Sequence, residues 1–229
     1  MPVTTLLFDV GGPLDTEVAY EREIDTLLPE FVRRQGFDIT AADYAAACTA
    51  AIDSFAPDLY KAVIWRLCGG DVFAAHRAWT LLAAQMSGRA SSEARQGMVE
   101  LLAALRGSGF RLGIVANQPL TLPAKLERMG MAGLFDSIEG SGALGLYKPD
   151  PRLFLMVAER LDAAPADCLM VGDRIDNDIV PARLLGMRTI RFRTGRHAPQ
   201  RPRSWTELPD AEVATTDELA TAIDRLAGQ

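Results

Sequence analysis

Two short apolar runs in the sequence each end on an aspartate. Val3–Phe8 runs into Asp9, and Cys168–Gly172 runs into Asp173, with Asp176 and Asp178 close behind. A third run, Arg111–Ala116, ends at Asn117, and Lys148 stands in the intervening stretch Gly145–Pro151. If these runs are parallel strands of one sheet, their carboxyl ends share an edge, which is where open α/β sheets bind ligands. Carboxylates gathered at one edge repel each other unless a cation joins them, and hard oxygen donors select Mg²⁺. A lysine beside such a cluster neutralises a bound anion such as phosphate. Taken singly, each aspartate reads as an ordinary helix cap or turn residue. Two strand-end acids, a downstream acid pair and a lysine together point to a Mg²⁺ site that holds a phosphoryl group.

The elements that must position these groups are legible as a pattern. Four brief apolar runs, Val3–Phe8, Arg111–Ala116, Cys168–Gly172 and Met187–Phe192, are bounded by Gly, Asp or Asn and read as buried strands. Helical periodicity lies between them: Met98, Leu101, Leu102 and Leu105 precede the second run, and Leu153, Phe154, Val157 and Leu161 follow an Asp150-Pro151 helix start. Thr215 and Glu218 have the spacing of a capping box ahead of Leu219, Ile223 and Leu226. Strands alternating with helices imply a Rossmann-like, doubly wound parallel sheet of the α/β class.

Residues 18–88 break that alternation. Ile24, Leu27, Leu28 and Phe31 form a helical stripe that Pro29 is expected to kink or divide. Thr40 opens an alanine-rich helix, Pro57 a third, and Asp71–Met86 reads as a fourth. The expected organisation is an α/β core made of residues 1–16 and 89–229, interrupted by a small all-helical domain over 17–88.

Composition bounds the function. A net charge of −6 argues against a general nucleic-acid binder. No apolar run reaches the ~20 residues of a membrane span, and the N-terminus lacks the pattern of a signal peptide. The three cysteines, Cys48, Cys68 and Cys168, are scattered without ligand spacing, which suits reduced thiols. A cytoplasmic protein is expected, as a monomer or homodimer, with no membrane or nucleic-acid partner.

Four stretches carry a resemblance. Leu-Leu-Phe-Asp-Val-Gly-Gly-Pro-Leu-Asp-Thr-Glu (6–17), Gly-Ile-Val-Ala-Asn (113–117), Tyr-Lys-Pro-Asp-Pro (147–151) and Val-Gly-Asp-Arg-Ile-Asp-Asn-Asp (171–178) resemble, in order and spacing, the four motifs of the haloacid dehalogenase-like hydrolases. The resemblance implies that Asp9 is a nucleophile forming an aspartyl-phosphate, and that Lys148 stabilises Asp9 and the transferring group. It implies Mg²⁺ held by Asp9, the Gly11 carbonyl and Asp173, with Asp178 direct or one shell out. Gly12, Asn117 and Lys148 would contact the substrate, a small phosphorylated metabolite such as a sugar phosphate. The inserted helices correspond to a cap that covers the site and selects the substrate.

Two positions depart from the pattern. The family's phosphatases carry a second aspartate two residues after the nucleophile, where this chain has Gly11. The second motif usually supplies a hydroxyl where this chain has Ala116. General acid–base help is worth about 10²–10⁴-fold, so Gly11 leaves the proton donor open among Asp15, Glu17, Glu21 and His76. For each of these the plainer reading is a solvated turn or helix residue, or for His76 a packed core imidazole. Trp65 and Trp79 are expected in the core of the helical domain. The arginine-rich stretch 191–203 reads as a solvated connecting loop. Two further readings stay open: a metal-independent 2-haloacid dehalogenase, which also lacks the second aspartate, and a weakly catalytic or non-catalytic phosphate- or Mg²⁺-binding module.

Overall fold

The computed structural model describes residues 2–87 and 93–228. The chain divides into two compact units, Met1–Thr16 with Ser92–Gln229, and Glu17–Ser91. The junction expected at residues 88 and 89 lies outside the described residues. In chain order the elements are β1 (Thr5–Phe8), β2 (Asp15–Thr16), α1 (Val18–Arg33), α2 (Ala41–Asp53), α3 (Leu59–Leu67), α4 (Val72–Met86) and β3 (Glu93–Ala94). They continue with α5 (Met98–Gly107), β4 (Arg111–Ala116), α6 (Leu122–Arg128), β5 (Ser137–Gly140), α7 (Ser141–Leu144) and α8 (Pro151–Arg160). The last are β6 (Cys168–Gly172), α9 (Val180–Leu184), β7 (Arg188–Phe192), β8 (Ala211–Val213) and α10 (Thr216–Ala227).

The first unit is a six-stranded sheet in the order β5-β4-β1-β6-β7-β8, with every pair parallel. Its central strands β1, β4 and β6 are short and largely apolar because both faces are covered. Leu6 and Phe8 of β1 point to one face, where they join Leu102 and Leu105 of α5, Leu126 of α6 and Leu219 and Ile223 of α10. Leu7 points to the other face and meets Leu153, Phe154 and Val157 of α8 and Ala182 of α9. Each such fully buried side chain contributes roughly 1.5–3 kcal/mol. Asp150 caps α8 through Arg152 N–H at 2.9 Å, with Pro151 as its first residue. Thr215 accepts the Glu218 N–H at 3.2 Å, while the Glu218 carboxylate takes the N–H of Ala214. Two strands of this sheet were not expected from the sequence, β5 and β8, nor were the short β2 and β3. β5 and β8 occupy the two sheet edges, where Ser-Ile-Glu-Gly and Ala-Glu-Val have no need of an unbroken apolar run.

A separate antiparallel ribbon pairs Asp15 with Ala94 and Thr16 with Glu93. It joins the two segments of the first unit at the place where the chain leaves it and returns.

The second unit is built from α1 to α4 around its own apolar cluster, which includes Ile24, Leu28, Val32, Val63, Ile64 and Leu82. Thr40 and Asp43 form a complete capping box at α2, and Asp58 and Asp71 cap α3 and α4. The third helix therefore starts from Asp58 and not from Pro57. Pro29 does not divide α1: the helix runs through it, with Leu28, Phe31 and Val32 buried on either side. That packing outweighs a cost of about 3 kcal/mol for proline inside a helix. His76 is exposed, contrary to the core reading, because Ala74, Ala78, Leu82 and Met86 form the buried stripe of α4 and residue 76 falls opposite it. Trp65 is 49% exposed, so it too departs from expectation, whereas Trp79 packs against the cluster. Among the described residues no helix is long and apolar enough to cross a membrane.

Candidate active site

The central strand β1 lies between β4 and β6, so Asp9, Asn117 and Asp173 leave three adjacent strands at the same edge. The Asp9 N–H continues the ladder by donating to the Val171 carbonyl at 2.9 Å. Each of Asp9, Asp173 and Asp178 offers a carboxylate oxygen, and the three oxygens lie within 4.8 Å of one another. The sequence spacing between Asp173 and Asp178 is taken up by a π-helical turn, Ile175–Ile179, which turns Asp178 back over Gly172. Residue 172 must be glycine, since a Cβ there would sit 2.3 Å from Cβ and Cγ of Asp178.

Lys148 completes the cluster. Its ammonium lies 2.8 Å from Asp9 Oδ1 and 2.6 Å from Asp178 Oδ1, with its side chain 2% exposed. Burial alone pulls this ammonium down, but the Asp178 and Asp9 carboxylates more than offset it, and Lys148 titrates above its ordinary range. The acids show the opposite strain. Burial, then the charges of Asp178 and Asp9, hold Asp173 well above the usual carboxylate range. Burial raises Asp178 to about 6 even though Lys148 pulls the other way. One lysine does not neutralise three carboxylates.

Asn117 braces the lysine. Its Oδ1 accepts the Lys148 N–H at 2.7 Å and its Nδ2 donates to the Lys148 carbonyl at 3.1 Å. Asp9 Oδ1 is fixed from the other side by the Val10 N–H at 2.8 Å. Asp178 Oδ2 accepts the Arg174 N–H at 2.9 Å.

The loop after Asp9 has a different arrangement from the one its acids suggest. Asp15 is fully buried and not a solvated turn residue. Its carboxylate is 2.6 Å from the Lys125 ammonium and accepts the Gly12 N–H at 3.1 Å. That bond occupies the Gly12 N–H. Gly12 adopts φ +91°, and a Cβ on it would come within 3.2 Å of Asp173 and 3.1 Å of Thr194. Arg95 closes the loop: Nε donates to the Gly12 carbonyl at 2.9 Å, Nη2 to the Asp15 carbonyl at 3.2 Å and to Thr194 Oγ1 at 2.9 Å, and the guanidinium stacks 4.6 Å over Phe192.

Asp176 turns away from the cluster, paired to Arg174 and within 3.3 Å of Gln200 Nε2. The arginine-rich stretch is not simply solvated, because Arg191 is 1% exposed and donates to the backbone around it. Arg95, Lys125, Thr194 and Gln200 carry no motif, and only the arginine density of 191–203 marked this region in the sequence.

Residues 3–186 match the family model for haloacid dehalogenase-like hydrolases. Over 131 residues the chain is 35% identical to a glyceraldehyde 3-phosphate phosphatase of Methanopyrus kandleri, covering 57% of this chain and 56% of that protein. Over 121 residues it is 35% identical to a phosphoglycolate phosphatase of Psychrobacter arcticus, covering 52% of each. The chain thus spans about half the length of the curated relatives it matches. Among solved structures, a predicted phosphatase from Clostridium acetobutylicum has the same fold, with a TM-score of 0.71 at 20% identity over 99% of this chain and all of that one, 100%.

Proposed function

The chain belongs to the haloacid dehalogenase-like hydrolase family, and from that membership we propose that it is a Mg²⁺-dependent phosphohydrolase acting on a small phosphorylated metabolite. The observation that carries this reading is the convergence of Asp9, Asp173 and Asp178 around Lys148. The names of the curated relatives, phosphatases of glyceraldehyde 3-phosphate and phosphoglycolate, support a small phosphoester as substrate.

The residues fit a divalent cation. Three carboxylates against one ammonium leave an excess of negative charge, and the neighbouring acids add to burial, the larger cause, in raising Asp173 and Asp178. Asp9, Asp173 and the Gly11 carbonyl would hold Mg²⁺, with Asp178 direct or one shell out. When bound, the ion supplies neutralisation of the phosphoryl oxygens. A metal-independent dehalogenase gives no account of the two acids that crowd Asp9.

The side chains then divide the work. Asp9 Oδ1 is held by the Val10 N–H and by Lys148, so Oδ2 is the oxygen directed to attack. Oδ2 forms a bond to phosphorus as the bond to the leaving oxygen breaks, which gives an aspartyl-phosphate and an alkoxide that takes its proton from solvent water. Water attacks phosphorus in the second step, releasing inorganic phosphate and regenerating the Asp9 carboxylate. Lys148, held in place by Asn117, balances the charge that builds on the transferring group.

Gly11 offers no acid, and Asp15 is bound to Lys125 and Gly12. These two facts favour a second reading, a protein that binds phosphate and turns over slowly. Hydrolysis of p-nitrophenyl phosphate with and without Mg²⁺ tests both. Asp9→Asn is expected to lower Mg²⁺-dependent turnover at least ~10³-fold, and full activity in that variant would end the nucleophile assignment. Binding of beryllofluoride without hydrolysis across a panel of phosphoesters would support the second reading.

A further inference from the structure

The segment that follows β7 lies beyond the residues matched by the family model, 3–186, yet it makes a set of buried bonds to the loop that carries the acids. Gln200 is 2% exposed. Its Oε1 accepts the Ile175 N–H at 3.0 Å, and its Nε2 lies 3.3 Å from Asp176 Oδ1. The backbone of Gln200 is itself anchored: its carbonyl accepts Arg191 Nη1 at 2.9 Å, and its N–H donates to the His197 carbonyl at 3.0 Å. Arg191 adds a bond from Nε to the Asp173 carbonyl at 3.3 Å and two from Nη2 to the carbonyls of His197 and Ala198, at 2.8 and 3.2 Å. At the start of the same segment, Thr194 meets Arg95 and lies against Gly12.

Ile175 opens the π-helical turn at whose fourth position Asp178 stands, and Asp173 and Asp176 flank Arg174. A π-helical turn is intrinsically unfavourable and persists where its surroundings hold it. The Gln200 amide grips that turn at its first N–H and at the one acid that does not enter the cluster. Arg191 grips the Asp173 carbonyl from the same side.

We propose that Gln200, anchored by Arg191, is a positioning residue for the metal acids, setting the approach of Asp173 and Asp178 through the turn between them. The proposal rests on the Mg²⁺ reading above. Outer partners of this kind orient ligands that they do not touch through the ion, and their loss typically costs 10–100-fold in metal affinity.

The test is calorimetric titration of Mg²⁺ into the whole protein, paired with the Mg²⁺ dependence of turnover. Gln200→Met keeps the length and apolar stem while removing both bonds. It is expected to weaken Mg²⁺ binding about tenfold, with kcat at saturating Mg²⁺ returning to within about twofold of wild type. Arg193→Gln, an exposed arginine of the same segment, is the control and is expected to bind Mg²⁺ as wild type does. A Gln200→Met protein that is folded by circular dichroism and binds Mg²⁺ within twofold of wild type overturns the proposal. If that variant does not fold, Gln200→Glu, which keeps the acceptor to Ile175 and sets a carboxylate against Asp176, is judged on the same scale. If neither folds, the residue is a structural clamp and the positioning role is withdrawn. Failure of the wild-type protein to bind Mg²⁺ would remove the metal reading itself, a result separate from a variant that matches a binding wild type.

Discussion

Replacing Lys148 by methionine separates stability from chemistry. The ammonium sits 2.8 Å from Asp9 and 2.6 Å from Asp178 and is almost wholly enclosed, so solvent screens these pairs little. Removing one partner of a buried pair costs about 3–5 kcal/mol, because the other charge is left uncompensated. Here two carboxylates lose their counter-charge and a third, Asp173, stands beside them. For a protein of this size each kcal/mol moves the melting temperature by roughly 2–4 °C, so Lys148→Met is expected to melt roughly 6–20 °C lower in EDTA. The same excess of negative charge raises the affinity for a divalent cation, and a ligand at a hundredfold excess over Kd adds about 2.7 kcal/mol. On the proposed Mg²⁺ reading, the ion is expected to stabilise the variant more than the wild type, so that the gap narrows as the metal is added. Under the proposed mechanism turnover is not expected to recover and is expected to stay about 10²–10³-fold down, because the charge on the transferring group has lost its lysine. Calorimetry reads the first part, and p-nitrophenyl phosphate hydrolysis reads the second. Equal melting of variant and wild type in EDTA, or a gap that widens with Mg²⁺, would refute the electrostatic reasoning.

Two more outcomes follow from the geometry. Gly172→Ala places a methyl 2.3 Å from Asp178, so it is expected to cost about 1–3 kcal/mol of stability and to weaken Mg²⁺ binding. Wild-type melting and metal affinity in that variant would contradict the close approach. Burial, then the charge of Arg174, pushes His197 down to about 3, below its unfolded value near 6.5. The folded state then binds fewer protons than the unfolded state between these values, so this contribution is complete above about pH 6.5 and is lost as pH falls toward 3. His197→Asn is expected to flatten the fall of melting temperature between pH 6.5 and 4 by the equivalent of a few kcal/mol at most, whereas parallel melting curves for the two proteins would exclude a depressed imidazole at position 197.

The sequence is readable where burial is two-sided and opaque where contacts are long-range. β4 and β6 coincide with the apolar runs Arg111–Ala116 and Cys168–Gly172 because interior parallel strands need apolar side chains on both faces. The edge strands β5 and β8 escape because their sequences are short and mixed. Pro29 and His76 mislead for a shared reason: local propensity says nothing of which stripe of a helix finds the core. At the site, Asp9, Lys148, Asp173 and Asp178 are legible because parallel strands bring their carboxyl ends to one edge, and this makes spacing informative. The supports are not. Arg95 reaches Gly12 across 83 positions of sequence, and Asp15 finds Lys125 on another element. No local pattern encodes those meetings.

The small ribbon of β2 and β3 has a consequence beyond the site. Asp15 faces Ala94 and Thr16 faces Glu93, and residues opposed across such a pair lie only about 5 Å apart. The excursion over Glu17–Ser91 therefore departs and returns across a single rung, and a hairpin turn of a few residues spans the same gap. Insertions, deletions or wholesale exchange within that stretch leave β1 and α5 where they are. The gene is in this sense modular: the stretch that encodes the helices is bracketed by two codons whose residues face each other across the ribbon.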